Sequence, residues 1–140
     1  MRQKLILIMY DILIFYEQEV KWKKVSDIEF RHSKFKQKEW KKALSNVAFI
    51  KAKGTQAISI AVQATVDEEF ICYGYDHLQR KEILKHLRNS FAHVNITEQG
   101  NYIIAEDFKV NTAISSQTSY MKLKTTTLKQ IVKLLNNRAR

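Results

Sequence analysis

Apolar positions along this 140-residue chain change period several times, and each change marks an expected element. Leu5-Ile6-Leu7-Ile8-Met9-Tyr10, then Asp11, then Ile12-Leu13-Ile14-Phe15-Tyr16 predict a helix from residue 5 to about 18. It is apolar almost all round, which implies burial on more than one side, and a second subunit is one way to achieve that. The run is too short to span a membrane, it carries an ionisable residue near its middle, and only Glu17-Gln18-Glu19 follow where a leader would need a small-residue cleavage site. Lys21-Trp22-Lys23-Lys24 reads as a polar connection and Ser26-Asp27-Ile28-Glu29 as a helix start. From about Arg31 to Lys51, Phe35, Trp40, Ala43, Leu44, Val47 and Ile50 recur every three to five residues, as on an amphipathic helix.

Gly54 is expected to end that helix. Residues 56–66 fit two periods. Ile58, Ile60, Val62, Ala64 and Val66 alternate as in a strand, whereas Ala57, Ala61 and Ala64 with Ile58 and Val62 share a helix face. Asp76, with Gln79 three residues on, is expected to cap a helix striped by Leu78, Ile83, Leu84, Leu87 and Phe91. Val94 to Thr97 and Tyr102 to Val110 predict two short strands around Glu98-Gln99-Gly100-Asn101. Asn111 to Lys124 reads as polar and irregular. Thr126 or Thr127 caps a last helix bearing Leu128, Ile131, Val132, Leu134 and Leu135.

Composition sharpens the fold class. There is no proline, and the three glycines stand apart, which favours long helices over a turn-rich sandwich or barrel. The expected fold is mainly α: a single domain over residues 1–140, a bundle of about four to five helices with one short β-hairpin. Apolar residues at 45% argue against global disorder. Cys72, the one cysteine, sits beside Phe70, Ile71 and Tyr73 and reads as a core thiol in a reducing, cytoplasmic setting. The net charge of +10 fits a polyanionic partner, although lysines at helical spacing also keep a helix wet.

The chemistry concentrates in Arg88-Asn89-Ser90-Phe91-Ala92-His93. Cutting RNA without metal needs a group that takes the 2′-hydroxyl proton and one that holds the phosphorane charge. Imidazole suits the first through its near-neutral pKa, and guanidinium suits the second through its permanent, forked charge. Asn89 can orient either partner. Five residues apart on a continued helix, Arg88 and His93 would sit roughly 140° apart, so a shared site needs the helix to end near Ala92 or a second subunit.

Arginine, a polar residue, a few more residues and then histidine is the signature of the HEPN (higher eukaryotes and prokaryotes nucleotide-binding) superfamily, and Leu87 to His93 resembles it position by position. The resemblance extends over about residues 76–135 through the expected hairpin and closing helix. It implies a helical bundle that dimerises to bring two motifs into one cleft, with metal-independent endoribonuclease activity in toxin–antitoxin or phage-defence systems. Arg88 would hold the scissile phosphate, His93 would be base or acid, and Asn89 would support them. RNA, a second copy of the chain and an antitoxin protein are the implied partners, and no cofactor is implied. The resemblance also tips residues 56–66 towards helix. The chain departs from the pattern at Val94, where many members carry glycine. The alternative function is a non-catalytic nucleotide- or RNA-binding domain that works with a partner protein.

Other residues read more plainly. His86 looks like a solvated histidine, and His77 and His32 carry no constellation. Asp67-Glu68-Glu69 reads as a helix-end or solvated charge run. No Cys/His spacing fits zinc. The lysines of 21–24 and 34–42 would add general RNA affinity, while Phe35 and Trp40 fall on the buried stripe.

Overall fold

A computed structural model describes residues 3–17, 34–111 and 114–136. Residues 21–24 and 26–29 lie outside the described part. In chain order the elements are α1 (Gln3–Phe15), α2 (Lys34–Ala43), β1 (Val47–Lys51), α3 (Thr55–Ala64), β2 (Glu69–Tyr73), α4 (Arg80–Ala92), β3 (Ile96–Gln99), β4 (Tyr102–Asn111), β5 (Ile114–Lys124) and α5 (Thr125–Asn136).

The expected mainly helical bundle is therefore corrected to a mixed α/β fold, because five strands form one sheet in the order β1-β2-β5-β4-β3. Strands β1 and β2 run parallel, and the other neighbours pair antiparallel. Parallel strands need a long crossover, and α3 supplies it. Residues 56–66, open between two periods in the sequence, are thus helical to Ala64.

Both faces of the sheet are covered. Ile71 and Tyr73 of β2, Ile103 and Ala105 of β4, and Met121 and Leu123 of β5 join one core with the apolar stripes of α1, α4 and α5. Phe70 and Cys72 point to the opposite face, where Ile58 of α3 is buried and Phe70 stacks on Tyr120 with ring centroids 5.6 Å apart. Each fully buried side chain of this size stabilises the fold by about 1.5–3 kcal/mol.

Three strands escaped the sequence reading for different reasons. Val47 and Ile50 continue the spacing of the α2 stripe, yet Ser45 turns the chain, its Oγ donating to the Lys42 carbonyl at 2.9 Å. Gly54 therefore does not end α2. It precedes α3 with φ 93, and its carbonyl accepts from Ile58 N–H. Strand β2 is buried at every position, so it shows an apolar run with no alternation. In β5, Gln117 and Ser119 occupy buried positions that an apolar pattern would have marked.

The hairpin of β3 and β4 forms as expected, with Gly100 at φ 58 in its two-residue turn. Helix α4 starts later than expected. Gln79 is its N-cap, and Asp76 instead meets Lys51 Nζ. Nor is Glu69 solvated: its buried carboxylate accepts from the Lys124 backbone N–H at 2.8 Å and from the Thr127 hydroxyl at the start of α5.

Helix α1 buries only one stripe, Leu5, Ile8 and Ile12, extended by Tyr16. Its other side leaves Ile6, Leu7, Tyr10 and Ile14 exposed, from 37% to 60%. Among the described residues no helix is long and apolar enough to cross a membrane.

Candidate functional site

Helix α4 carries the residues around which the site is built: Glu82, Lys85, His86, Arg88 and Asn89. Ile83, Leu84, Leu87 and Phe91 lock its rotation against the core. The neighbouring stripe, Glu82, Lys85, His86 and Asn89, then faces β4 at i, i+3/i+4 and i+7 spacing. Arg88, one residue round from Asn89, faces α1.

A continuous polar chain joins these two directions. His86, only 6% exposed, has Nδ1 2.9 Å from Asp107 Oδ2 and Nε2 3.5 Å from Glu82 Oε2. Its ring stacks on Tyr73. Asn89 Nδ2 donates to the same Asp107 oxygen at 3.1 Å, and Asn89 Oδ1 accepts from Arg88 Nη1 at 2.9 Å. Arg88 Nε donates to Glu17 Oε1 at 2.9 Å, Nη2 reaches the same oxygen, and the guanidinium lies 5.8 Å from the Tyr16 ring centroid. The solvated reading of His86 is thereby overturned, and Asp107 and Glu17, which carry no local signal in the sequence, join the site.

Burial alone would push the Asp107 carboxyl up, but the His86 and Asn89 hydrogen bonds and the His86 charge outweigh it and hold its pKa below the ordinary value. Tyr16 moves upward through burial, offset in part by the nearby Arg88 cation. The Tyr73 hydroxyl is pushed up to about 12, chiefly by burial. It donates to the His77 carbonyl at 2.7 Å and accepts from Gln79 N–H at 2.9 Å, tying down the loop before α4.

Asp107 owes its position to a β-bulge. Phe108 pairs with Gln117 and Asp107 with Ser119, leaving Thr118 as the extra residue. The Thr118 hydroxyl donates to the Asp107 carbonyl at 3.1 Å. Asp107, Phe108 and Thr118 consequently all border one cleft of about 620 Å³, together with His86 and Asn89.

At its other end α4 stops at Ala92. Asn95 N–H bonds the Ser90 carbonyl at 2.9 Å and Val94 N–H the Phe91 carbonyl at 3.2 Å, a Schellman closure. Its left-handed position is Val94 at φ 56, where glycine is favoured and a β-branched residue is strained by about 1–2 kcal/mol. His93, the C-cap, is exposed, and its imidazole has no polar partner among the described residues.

Of the three residues singled out by sequence, the Arg88 and Asn89 side chains are bonded to one another, while His93 meets Asn89 through its backbone N–H, which donates to the Asn89 carbonyl at 3.1 Å, and does not line the cleft. The imidazole is exposed, and the guanidinium is pre-set by Asn89. Within one chain no hydrogen bond joins the two. Among the described residues no cluster of His, Cys, Asp and Glu is arranged to hold a metal ion. No protein-family model matches the chain, and no curated protein or solved structure matches it either.

Proposed function

We propose that the protein is a metal-independent endoribonuclease whose site is completed by a second copy of the chain. The observation that carries this reading is the end of α4. A valine accepts the left-handed conformation directly after His93, at the position where the resembled signature carries glycine. That turn ends the helix before His93, one of the two routes by which Arg88 and His93 can share a site, and a second copy is the other. The reading leans on this local geometry and on the motif; the bundle implied by the HEPN resemblance plays no part in it, since a sheet stands in its place.

The second copy has a surface to meet. Ile6, Leu7, Tyr10 and Ile14 form an exposed apolar face on α1, and the C-terminal end of the same helix leads to Tyr16 and Glu17, which touch Arg88. A two-fold partner seated on α1 would cover that face and approach Arg88 in one step.

In the cleavage step the RNA 2′-oxygen attacks phosphorus and its proton passes to one His93 imidazole. The phosphorus–O5′ bond breaks, and the leaving 5′-oxygen takes the proton back from that same imidazole. The product is a 2′,3′-cyclic phosphate or its hydrolysis product. Arg88 neutralises the phosphorane oxygens, and RNA first displaces Glu17 from the fork. The setting is the cytoplasm, in a toxin–antitoxin or phage-defence role with a protein antitoxin as restraint.

One observation favours a second reading, RNA or nucleotide binding without cleavage: Arg88 is already engaged by Glu17 and Asn89. Incubating the purified protein with RNA in EDTA decides between them. Cleavage that disappears in Arg88→Ala and in His93→Ala supports the nuclease. Salt-dependent binding with intact RNA supports the second reading.

A further inference from the structure

The cleft on the β4 side of α4 has a composition that the cleavage reading leaves unused. Lysines from three separate elements reach its walls: Lys53 from the connection before α3, Lys85 from α4 and Lys109 from β4. The acids in those walls are already committed. Glu82 is shared by Lys85 and His86, and Asp107 by His86 and Asn89. Lys53 and Lys109 have no acidic partner among the described residues, so the cleft presents unsatisfied positive charge.

Beside that charge stands an aromatic surface. Tyr75 is 44% exposed at the cleft wall, in the loop that the Tyr73 hydroxyl ties down. Gly74 keeps the approach open: a Cβ there would stand 3.1 Å from Lys53 Cβ, so bare backbone lets the lysine stem lie across the loop. A volume of about 620 Å³ lies in the range of small-ligand clefts.

We propose that this cleft is a nucleotide-binding subsite, distinct from Arg88 and His93, in which Lys53 and Lys109 hold a phosphate and Tyr75 stacks on the base. Tyr75 already meets the His77 ring in a T-shaped contact, centroids 5.5 Å apart, and a planar ring next to a fixed anion is the ligand that pairs its remaining exposed surface with two uncommitted ammonium groups. Asn89 belongs to the cleft wall and also bonds Arg88, so a nucleotide seated there lies beside the phosphate-binding arginine. The ligand is a free mononucleotide or one nucleotide of single-stranded RNA, and both present the same chemistry.

Binding is measured in the full-length His93→Ala chain, so that cleavage neither destroys the probe nor enters the result. The probes are AMP, a short labelled single-stranded RNA and inorganic phosphate. Lys53→Gln with Lys109→Gln is expected to weaken the nucleotide probes about tenfold and to lower the salt slope of RNA binding by roughly one, while the double Lys→Arg variant retains binding. Tyr75→Ala is expected to weaken AMP and RNA by several-fold and leave phosphate unchanged. AMP binding as tightly as RNA identifies a free nucleotide as the ligand; RNA far tighter identifies a substrate subsite. The proposal is overturned if none of the probes binds at millimolar concentration, or if the double Lys→Gln and Tyr75→Ala variants bind like their parent. Neither result touches the nuclease reading, which the EDTA assay tests separately.

Discussion

The two ends of α4 differ in how complete they are. Towards β4, His86, Asn89 and Asp107 satisfy one another inside a buried network, and the chain needs nothing from outside to hold them. Towards the helix C-terminus, the His93 imidazole is exposed and has no polar partner among the described residues, and Arg88 reaches Glu17, Asn89 and Tyr16. A buried polar network sets geometry, whereas an exposed imidazole on a strained turn stays available for chemistry. Changes at the first end should therefore register as stability and changes at the second as activity.

The largest effect expected is on cleavage. His93→Ala and Arg88→Ala should each lower the rate by about 10²–10⁴-fold. His93→Ala should leave the unfolding free energy within about 0.5 kcal/mol, as for an exposed side chain. A gel assay in EDTA with parallel urea unfolding checks both halves, and a stability loss matching the activity loss would erase the contrast between the ends.

Asp107→Ala is the converse. Removing it strands His86 and Asn89, and breaking a buried pair costs about 3–5 kcal/mol. The same carboxylate gives a pH signature. Its folded pKa lies below the ordinary 3.8, so its stabilisation is present above that value and disappears as pH falls through the lower folded one. Acid unfolding below that range should lose its Asp107 component in Asp107→Asn, and an unchanged acid limb would count against the network.

Val94→Gly is expected to raise stability by up to about 1 kcal/mol, since glycine relieves the left-handed strain at some cost in unfolded-chain entropy. A loss would mean that the turn is held by the valine side chain. Smallest is Glu17→Gln: freeing the Arg88 fork from a carboxylate should tighten RNA binding by a few-fold, read by anisotropy.

What the sequence made legible follows the same division. The hairpin, α5 and the apolar stripe of α4 were readable because their periods are local and unbroken. The Arg88-Asn89 to His93 stretch was readable because it is contiguous. The sheet was not. Strand β1 borrows the spacing of the helix before it, β2 is buried on both faces, and β5 carries Gln117 and Ser119 at buried positions. The cleft was less legible still, since Lys53, His86 and Asp107 lie on separate elements and a β-bulge aims the last of them. One signal was present: Glu82, His86 and Asn89 share a helical stripe next to the apolar one, which marks a polar face turned inward.

The most direct test of the composite site joins the two inactive chains. Differently tagged Arg88→Ala and His93→Ala chains are co-expressed, the mixed dimer is purified through both tags, and cleavage is measured in EDTA. If Arg88 of one chain works with His93 of the other, one of the two pairings survives, and the mixed dimer should recover about half of the wild-type rate. A mixed dimer as inactive as its parents, or a chain that stays monomeric while it cleaves, contradicts the account.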